Sequence, residues 1–353
     1  MNTPTVAVPT GRAPSPRPIP WRNLAWVTLR QRRGLFIGLG IFLGLFAAYL
    51  VVMAVIQGNA YSAVAACHPA NAARCQGLRQ SFVSRYWGGN SLGGAALSGG
   101  AQTVSSLMFG VPVLLGAFAG APLLSSELAS GTFRFAWTQG AGRTRWVLST
   151  LVVPALVVIA ATGAFTAIFY WYLHPFLALG QVSEMLPLTF ALLGVAFAAW
   201  TLFAYALSAF LGALLRRTIP AMVLTLVIYT VLAMQTATAI RPHYAAPVTV
   251  PSSSAAANNG WVITLFAKSP SGQELSQQDL FATFQREAPA SVQNSNNPGA
   301  FLAWVTQHGY TQWTTLQPDS RFWEFQLIEG AWLTAVSAAL IGGSAWLIRR
   351  RGA

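Results

Sequence analysis

Residues 35–57 read LFIGLGIFLGLFAAYLVVMAVIQ, a stretch without one charge. A helix that crosses ~30 Å of hydrocarbon needs about 20 consecutive apolar residues. This stretch meets that length, and the chain repeats the pattern. Further apolar runs cover about 103–124, 147–173, 187–215, 218–238 and 330–348, with Arg216, Arg217 and Pro220 separating the fourth from the fifth. In lipid the backbone must bond to itself, so each run reads as a helix. The expected fold class is therefore all-α, a polytopic membrane protein with six transmembrane helices. Composition agrees: of 353 residues 54% are hydrophobic and 8% charged, whereas a soluble domain carries about 25% charge.

A net charge of +13 raises the question of nucleic acid as a partner. The basic residues sit at the ends of apolar runs and build no stripe of their own, so that class is excluded. They set orientation instead. With the N- and C-termini placed in the cytoplasm, fourteen of the 21 basic residues flank the spans on the inside. Seven of the eight acids then fall outside, and only Glu127 falls inside.

The runs divide the chain. Residues 1–20, rich in Pro and polar residues, read as a disordered cytoplasmic tail. Residues 21–34 read as an amphipathic helix: Trp21, Leu24, Ala25, Val27 and Leu29 share an arc opposite Arg22, Arg30 and Arg33, while Trp26 and Arg32 break the pattern. Such a segment lies on the inner leaflet with its arginines toward membrane lipids, or is merely the basic flank of the first span. Spans one to five with their loops occupy 35–238, and 330–353 holds span six and a basic cytoplasmic tail.

The first outer loop, about 58–102, is Gly-rich toward its end and reads as irregular. It holds both cysteines, Cys67 and Cys75, a candidate disulfide in an oxidising exterior. Metal binding with His68 is the rival, and two Cys with one His make a poor closed site. The large outer segment, 239–329, holds SQQDLFATFQREA, a helix capped by Ser276 with Asp279 three residues on, and a second helix over 299–308. Its apolar content is low for an independent core, so packing on the outer ends of the spans is expected. Gly34 and Gly38, Gly40 and Gly44, Gly116 and Gly120 stand at a spacing that allows close helix contact, within the chain or with a second copy. Pro112 and Pro154 are candidate kinks.

Several chemistries are missing. No ionisable residue lies inside any of the six runs, and Glu329 stands only at the outer lip of the last. Ion-driven carriers keep such groups at depth, so this tells against one. A phosphate-binding loop ending at the single lysine, Lys268, would need glycines where Val262 and Ala267 stand. There is no nucleophile elbow and no HExxH, and the four histidines (68, 174, 243 and 308) are scattered through outer segments. The chain reads as no enzyme, with no metal site and no cofactor of its own.

The loop between spans two and three, residues 125–146, reads SSELASGTFRFAWTQGAGRTRW. Gly131 ends any helix continuing from span two. Thr132 is a good N-cap for a short helix, FRFAWTQ, with Phe133, Ala136 and Trp137 on one face. Gly140 and Gly142 stop it, and Arg143, Arg145 and Trp146 anchor the next span at the interface.

Glu127 followed by Gly131-Thr132 and an Arg-rich return resembles the permease subunits of type-2 ATP-binding-cassette exporters. WTQGAGRTRW and the ending RFWEFQLIEGAWL…AWLIRRR are similar to the actinobacterial branch of that family. The resemblance covers nearly the whole chain. It implies that Thr132 to Gln139 form a coupling helix docked on a separate ATPase. Glu127, Gly131, Thr132, Phe133, Arg134, Trp137 and Gln139 would then be the coupling residues, and 21–33 the connecting helix. It further implies ATP and magnesium in that partner, a second permease copy or similar chain, and a bacterial plasma membrane. The expected function is export of a small or amphipathic compound. One departure stands out: many relatives carry Pro-x-Ser-Arg after the coupling helix, and here the chain reads Gln139-Gly140-Ala141-Gly142-Arg143. Read from its own residues, Glu127 is alternatively a helix-end ion pair with Arg134 or Arg145. The rival function is a membrane sensor or immunity subunit that binds a ligand through the outer segment.

Overall fold

The computed structural model describes residues 20–87, 100–130, 143–293 and 299–351. Six helical segments are long and apolar enough to cross a membrane: Arg33–Ala65, Ala101–Leu128, Arg145–Ala178, Ala196–Leu215, Thr218–His243 and Asp319–Arg350. A separate helix, α1 (Trp21–Gln31), precedes the first span, α2 (Arg33–Ala65). Beyond α2 the Cys67–Cys75 disulfide turns the chain, with Cα atoms 5.6 Å apart, into α3 (Ala73–Tyr86). α3 has no local signature, because its apolar residues are few and its flank is Gly-rich.

Span two is two helices, α4 (Ala101–Met108) and α5 (Val111–Ser130), broken at Phe109 and Gly110. Pro112 is the second residue of α5, where its missing N–H leaves no bond unmade. Pro122 lies inside α5, and Pro154 and Pro175 inside span three, α6 (Arg143–Ala178).

The run 187–215, read above as one helix, is two. A short helix, α7 (Pro187–Leu192), ends at Gly194, whose φ of +60° lies in the left-handed region, and α8 (Ala196–Leu215) begins afresh. Gln326 spans the break: its Oε1 accepts from the Ala196 N–H at 2.7 Å and its Nε2 donates to the Phe190 carbonyl at 2.9 Å. A Cβ at Gly194 would collide with that side chain.

The core is built on α8, buried on nearly every side. Lipid tails are as apolar as leucine, so helices in a bilayer gain little from greasy contact alone and associate through close packing and polar bonds. Both are present here. A Cβ on Gly116 or Gly120 of α5 would run into Ala204 and Tyr205 of α8, and one on Gly212 into the Ala121 carbonyl. Tyr205 donates to the Leu151 carbonyl at 2.7 Å, and Ser208 to that of Ala117 at 3.1 Å. Gly34, Gly38, Gly40 and Gly44 behave differently: a Cβ at any of them meets open space, so packing within the described chain does not account for them. The fifth span, α9 (Thr218–Gln235), turns Ile219, Val223 and Val231 outward, as a lipid-facing helix does.

The spans reach further than hydropathy drew them. Past α9 the fifth continues as a π-helical turn over Thr236–Ile240 and a tight turn over Arg241–His243. The sixth, α12 (Phe322–Arg351), starts well before residue 330. Residues 239–243 and 319–329, assigned above to the outer segment, therefore belong to spans.

Between them the chain forms a four-stranded antiparallel sheet in the order β1-β4-β2-β3, from β1 (Val248–Pro251), β2 (Gly260–Lys268), β3 (Glu274–Ser276) and β4 (Thr311–Pro318). Two helices pack with it: α10 (Gln277–Glu287), capped by Ser276, whose Oγ accepts the Asp279 N–H at 3.1 Å, and α11 (Ala300–Gln307). This unit has a small core of its own around Leu280, Phe284 and Trp304, contrary to the expectation that it lacks one. It also rests on the spans, where Trp261, Phe322 and Phe325 join the main core. The membrane portion is all-α, and the sheet is confined to this end.

Candidate functional site

Two places in the bundle join charge to burial. The first is the basic end, where α1 meets the last turn of α5. Arg32 stands where α1 stops and α2 starts, with φ −102° and ψ 15° outside the helix. That break turns its side chain toward α5. Its Nη2 donates to Glu127 Oε1 at 2.8 Å and to the Leu123 carbonyl at 3.1 Å. The two side chains keep 19% and 23% of their surface, so the pair is shielded without being sealed. Arg32 is thus one ion-pair partner of Glu127, and Arg134 lies outside the described residues. The pair also explains why Arg32 broke the amphipathic pattern: it serves α5 rather than either face of α1.

Arg145, in the first turn of α6, stacks its guanidinium 5.6 Å from the Trp21 ring centroid. Leu24 and Thr28 of α1 are buried, and Trp146 packs against the cluster around Val147 and Leu151. The two helices that flank the loop are thus both tied to α1, one through Glu127 and one through Arg145. Gly131, Thr132, Phe133, Arg134, Trp137 and Gln139 lie outside the described residues, as does the side chain of Arg143.

The second place is at the sheet end, and the sequence reading missed it. Glu329 of α12 is fully buried and Arg241 is 2% exposed. They form a two-pronged pair, Arg241 Nε to Oε2 at 2.9 Å and Nη2 to Oε1 at 2.7 Å. Trp200 Nε1 donates to Oε1 at 2.7 Å and the Tyr244 hydroxyl to Oε2 at 3.3 Å. Trp332 Nε1 donates in turn to that hydroxyl at 3.0 Å. The Arg241 guanidinium lies 4.2 Å from the Phe190 ring centroid and also donates to the Pro187 carbonyl at 3.3 Å. Burial, with the Glu329 charge beside it, pushes the Tyr244 hydroxyl up to about 12, so it remains a neutral donor. A crevice of ≈ 10 Å³, room for about one water, is bounded by Trp200, Tyr229, Ala233 and Arg241 among others.

The sheet-side ends of the helices of spans five and six therefore hold two buried ionisable side chains, locked into one neutral unit. The six apolar runs themselves hold none, and both residues stand just beyond the ends of their runs. The available signal was a lone acid flush with one span and a lone arginine flush with another.

Nearby, Asp319 accepts from the Ser183 hydroxyl and, at 3.3 Å, from the Met185 N–H, tying the loop after α6 to the start of span six. Burial, and then the Asp319 charge, raise the Glu184 carboxyl above its ordinary value of 4.5. A raised carboxyl pKa means the folded state prefers the proton. The stability it contributes is full below pH 4.5 and is lost as pH climbs through the folded value. Glu184→Gln is expected to raise the thermal midpoint modestly at pH 7.5 and to leave it unchanged near pH 4. A midpoint lowered at pH 7.5 would mean that the carboxylate is held by a favourable partner instead.

Among the described residues no three His, Cys, Asp or Glu side chains gather as a metal site. A family model described as "ABC-2 membrane transporter related" matches residues 40–241. The match covers more than half of the chain, running from within span one to Arg241, near the end of span five. No curated protein and no solved structure was found to match.

Proposed function

The chain belongs to the ABC-2 membrane transporter-related family, and on that premise we propose that it exports a small or amphipathic compound from a bacterial cell. In this reading it is a multi-pass permease subunit whose basic end faces the cytoplasm. The loop between spans two and three docks a separate ATP-binding-cassette ATPase, which holds the ATP and magnesium. A second copy, or a similar chain, completes the pathway, and cargo moves between the two halves.

The observation that carries this is the Arg32–Glu127 pair. It links the helix lying before span one to the end of span two, where the loop begins. A push delivered at residues 131–142 by a closing ATPase would reach α1, α5 and α6 together, because Arg32 and Arg145 fasten them to one another. Nucleotide binding would then bias two arrangements of the spans, by as much as the ATPase's own preference between them allows.

Co-purification tests the reading. The tagged chain is expressed with the ATPase encoded beside it, and wild type is compared with Trp137→Ala. Recovery of the ATPase with wild type, and its loss with the variant, is the expected result. If no ATPase associates under gentle extraction, the exporter reading fails. The folded sheet unit over 248–318 then makes a ligand sensor the better account.

A further inference from the structure

Between α2 and α5 the bundle is open. α2 leans along α6 and scarcely touches α5. The gap has a volume of ≈ 400 Å³ and is lined by Gly34, Gly38, Phe42, Leu114 and Phe118 among others. Phe42, Leu114 and Phe118 are exposed although large and apolar. Gly34 and Gly38 widen the gap, since a Cβ at either meets nothing.

We propose that this gap binds one acyl chain of an anionic phospholipid, with the headgroup phosphate held by Arg30 and Arg33. Three observations select that occupant. Gly34 to Phe42 is eight residue steps, about 12 Å of helix rise, which matches most of one leaflet's ~15 Å of hydrocarbon, half of the full core. The lining of the gap reaches Gly34, directly after Arg33, and α1 just before it presents exposed Trp21 and Trp26 as interfacial aromatics do. Arg30 and Arg33 flank this end and are exposed, Arg30 with its guanidinium 5.1 Å from the Trp26 ring centroid, and among the described residues neither forms an ion pair with a carboxylate. A phosphate diester with an anionic headgroup satisfies both arginines, while its tail fills the groove below them. A zwitterionic lipid offers the same tail but a cancelled charge.

Native mass spectrometry of the detergent-purified full chain, titrated with phosphatidylglycerol or phosphatidylcholine of identical acyl chains, tests this without any ATPase. Wild type is expected to retain one phosphatidylglycerol roughly thirtyfold more tightly than phosphatidylcholine, the scale set by two arginines at an anionic surface. Arg30→Gln with Arg33→Gln should abolish the preference. Gly38→Leu, whose Cβ meets open space and whose side chain would extend into the gap, should expel the lipid while leaving the unfolding temperature unchanged. Equal retention of the two lipids by wild type overturns the proposal, and that comparison needs no variant to fold. Undiminished retention in Gly38→Leu overturns it too. So does conversion of a dimer to a monomer by Gly38→Leu with lipid binding intact, because the gap would then belong to a second copy. Failure of ATPase co-purification leaves all of these outcomes readable, so this proposal and the exporter reading fall separately.

Discussion

Arg241→Met is expected to lower the thermal midpoint of the purified chain by roughly 10 °C, a scale set by ~3–5 kcal/mol for breaking a buried ion pair at one partner. The cost comes from what remains. Glu329 is fully buried, and without the guanidinium it keeps only the Trp200 and Tyr244 donors against a full negative charge. A charge in that position must be protonated or must open the helices around it. Arg241→Met combined with Glu329→Gln is expected to recover most of the loss. The amide still accepts from Trp200 Nε1, and neither position then carries a charge. Replacing both members of a buried pair is often neutral. A double variant as unstable as the single would show that the pair itself, rather than the orphaned charge, holds α8, α12 and the end of span five together. The distinction bears on transport. Glu329 joins α12 to Trp200 of α8 and to the last turn of span five, so any rearrangement that separates these elements at the sheet end must first break this pair.

The spans were legible because hydropathy is local and additive. Residues 35–57 declare a membrane helix without reference to anything else in the chain. The pairs were not, because each needs two positions far apart. Arg32 and Glu127 are 95 residues apart, and Arg241 and Glu329 are 88. Reading charges as boundary markers also set a trap. The fifth run ends at about 238 and the sixth starts at about 330, just short of Arg241 and just past Glu329, yet each helix continues through its charged residue, where the two neutralise one another. Arg32 breaks the amphipathic pattern because a face-by-face reading assumes one unbroken axis, and the axis breaks at that residue. The sheet was hidden for a related reason. β2 is apolar nearly throughout and does not alternate, β4 carries polar residues on both faces, and the two find each other across α10 and α11. Within it, only the Ser276 cap and the two helices had a local signature. The glycines divide by context: Gly116 and Gly120 serve the α5–α8 contact, whereas Gly34 and Gly38 leave a gap at the same spacing.

Reversing Arg32 to Glu is expected to reduce coupled ATP turnover of the assembled complex about tenfold, within the usual range for coupling between sites. Its effect on the stability of the isolated chain should be small. The pair is about one-fifth exposed on each side, and pairs open to water contribute roughly 1 kcal/mol or less. The reversal sets two carboxylates where 2.8 Å separated opposite charges, so α1 and α5 part at the basic end while the core around α8 is untouched. Exchanging both residues, Arg32→Glu with Glu127→Arg, restores attraction with its polarity inverted and should recover turnover. The Leu123 carbonyl, which accepts from Arg32 in the native arrangement, loses its donor in the exchange, so recovery is expected to be partial. Turnover and thermal midpoint must be read together. A strut that merely holds the fold would move both in step, and the exchange would rescue both in step. A transmission contact moves turnover far more than the midpoint, because the two arrangements of the spans differ by only a few kcal/mol and a contact that favours one of them governs their ratio. Turnover unchanged by the single reversal would remove Glu127 from the coupling path and leave it as a helix-end ion pair.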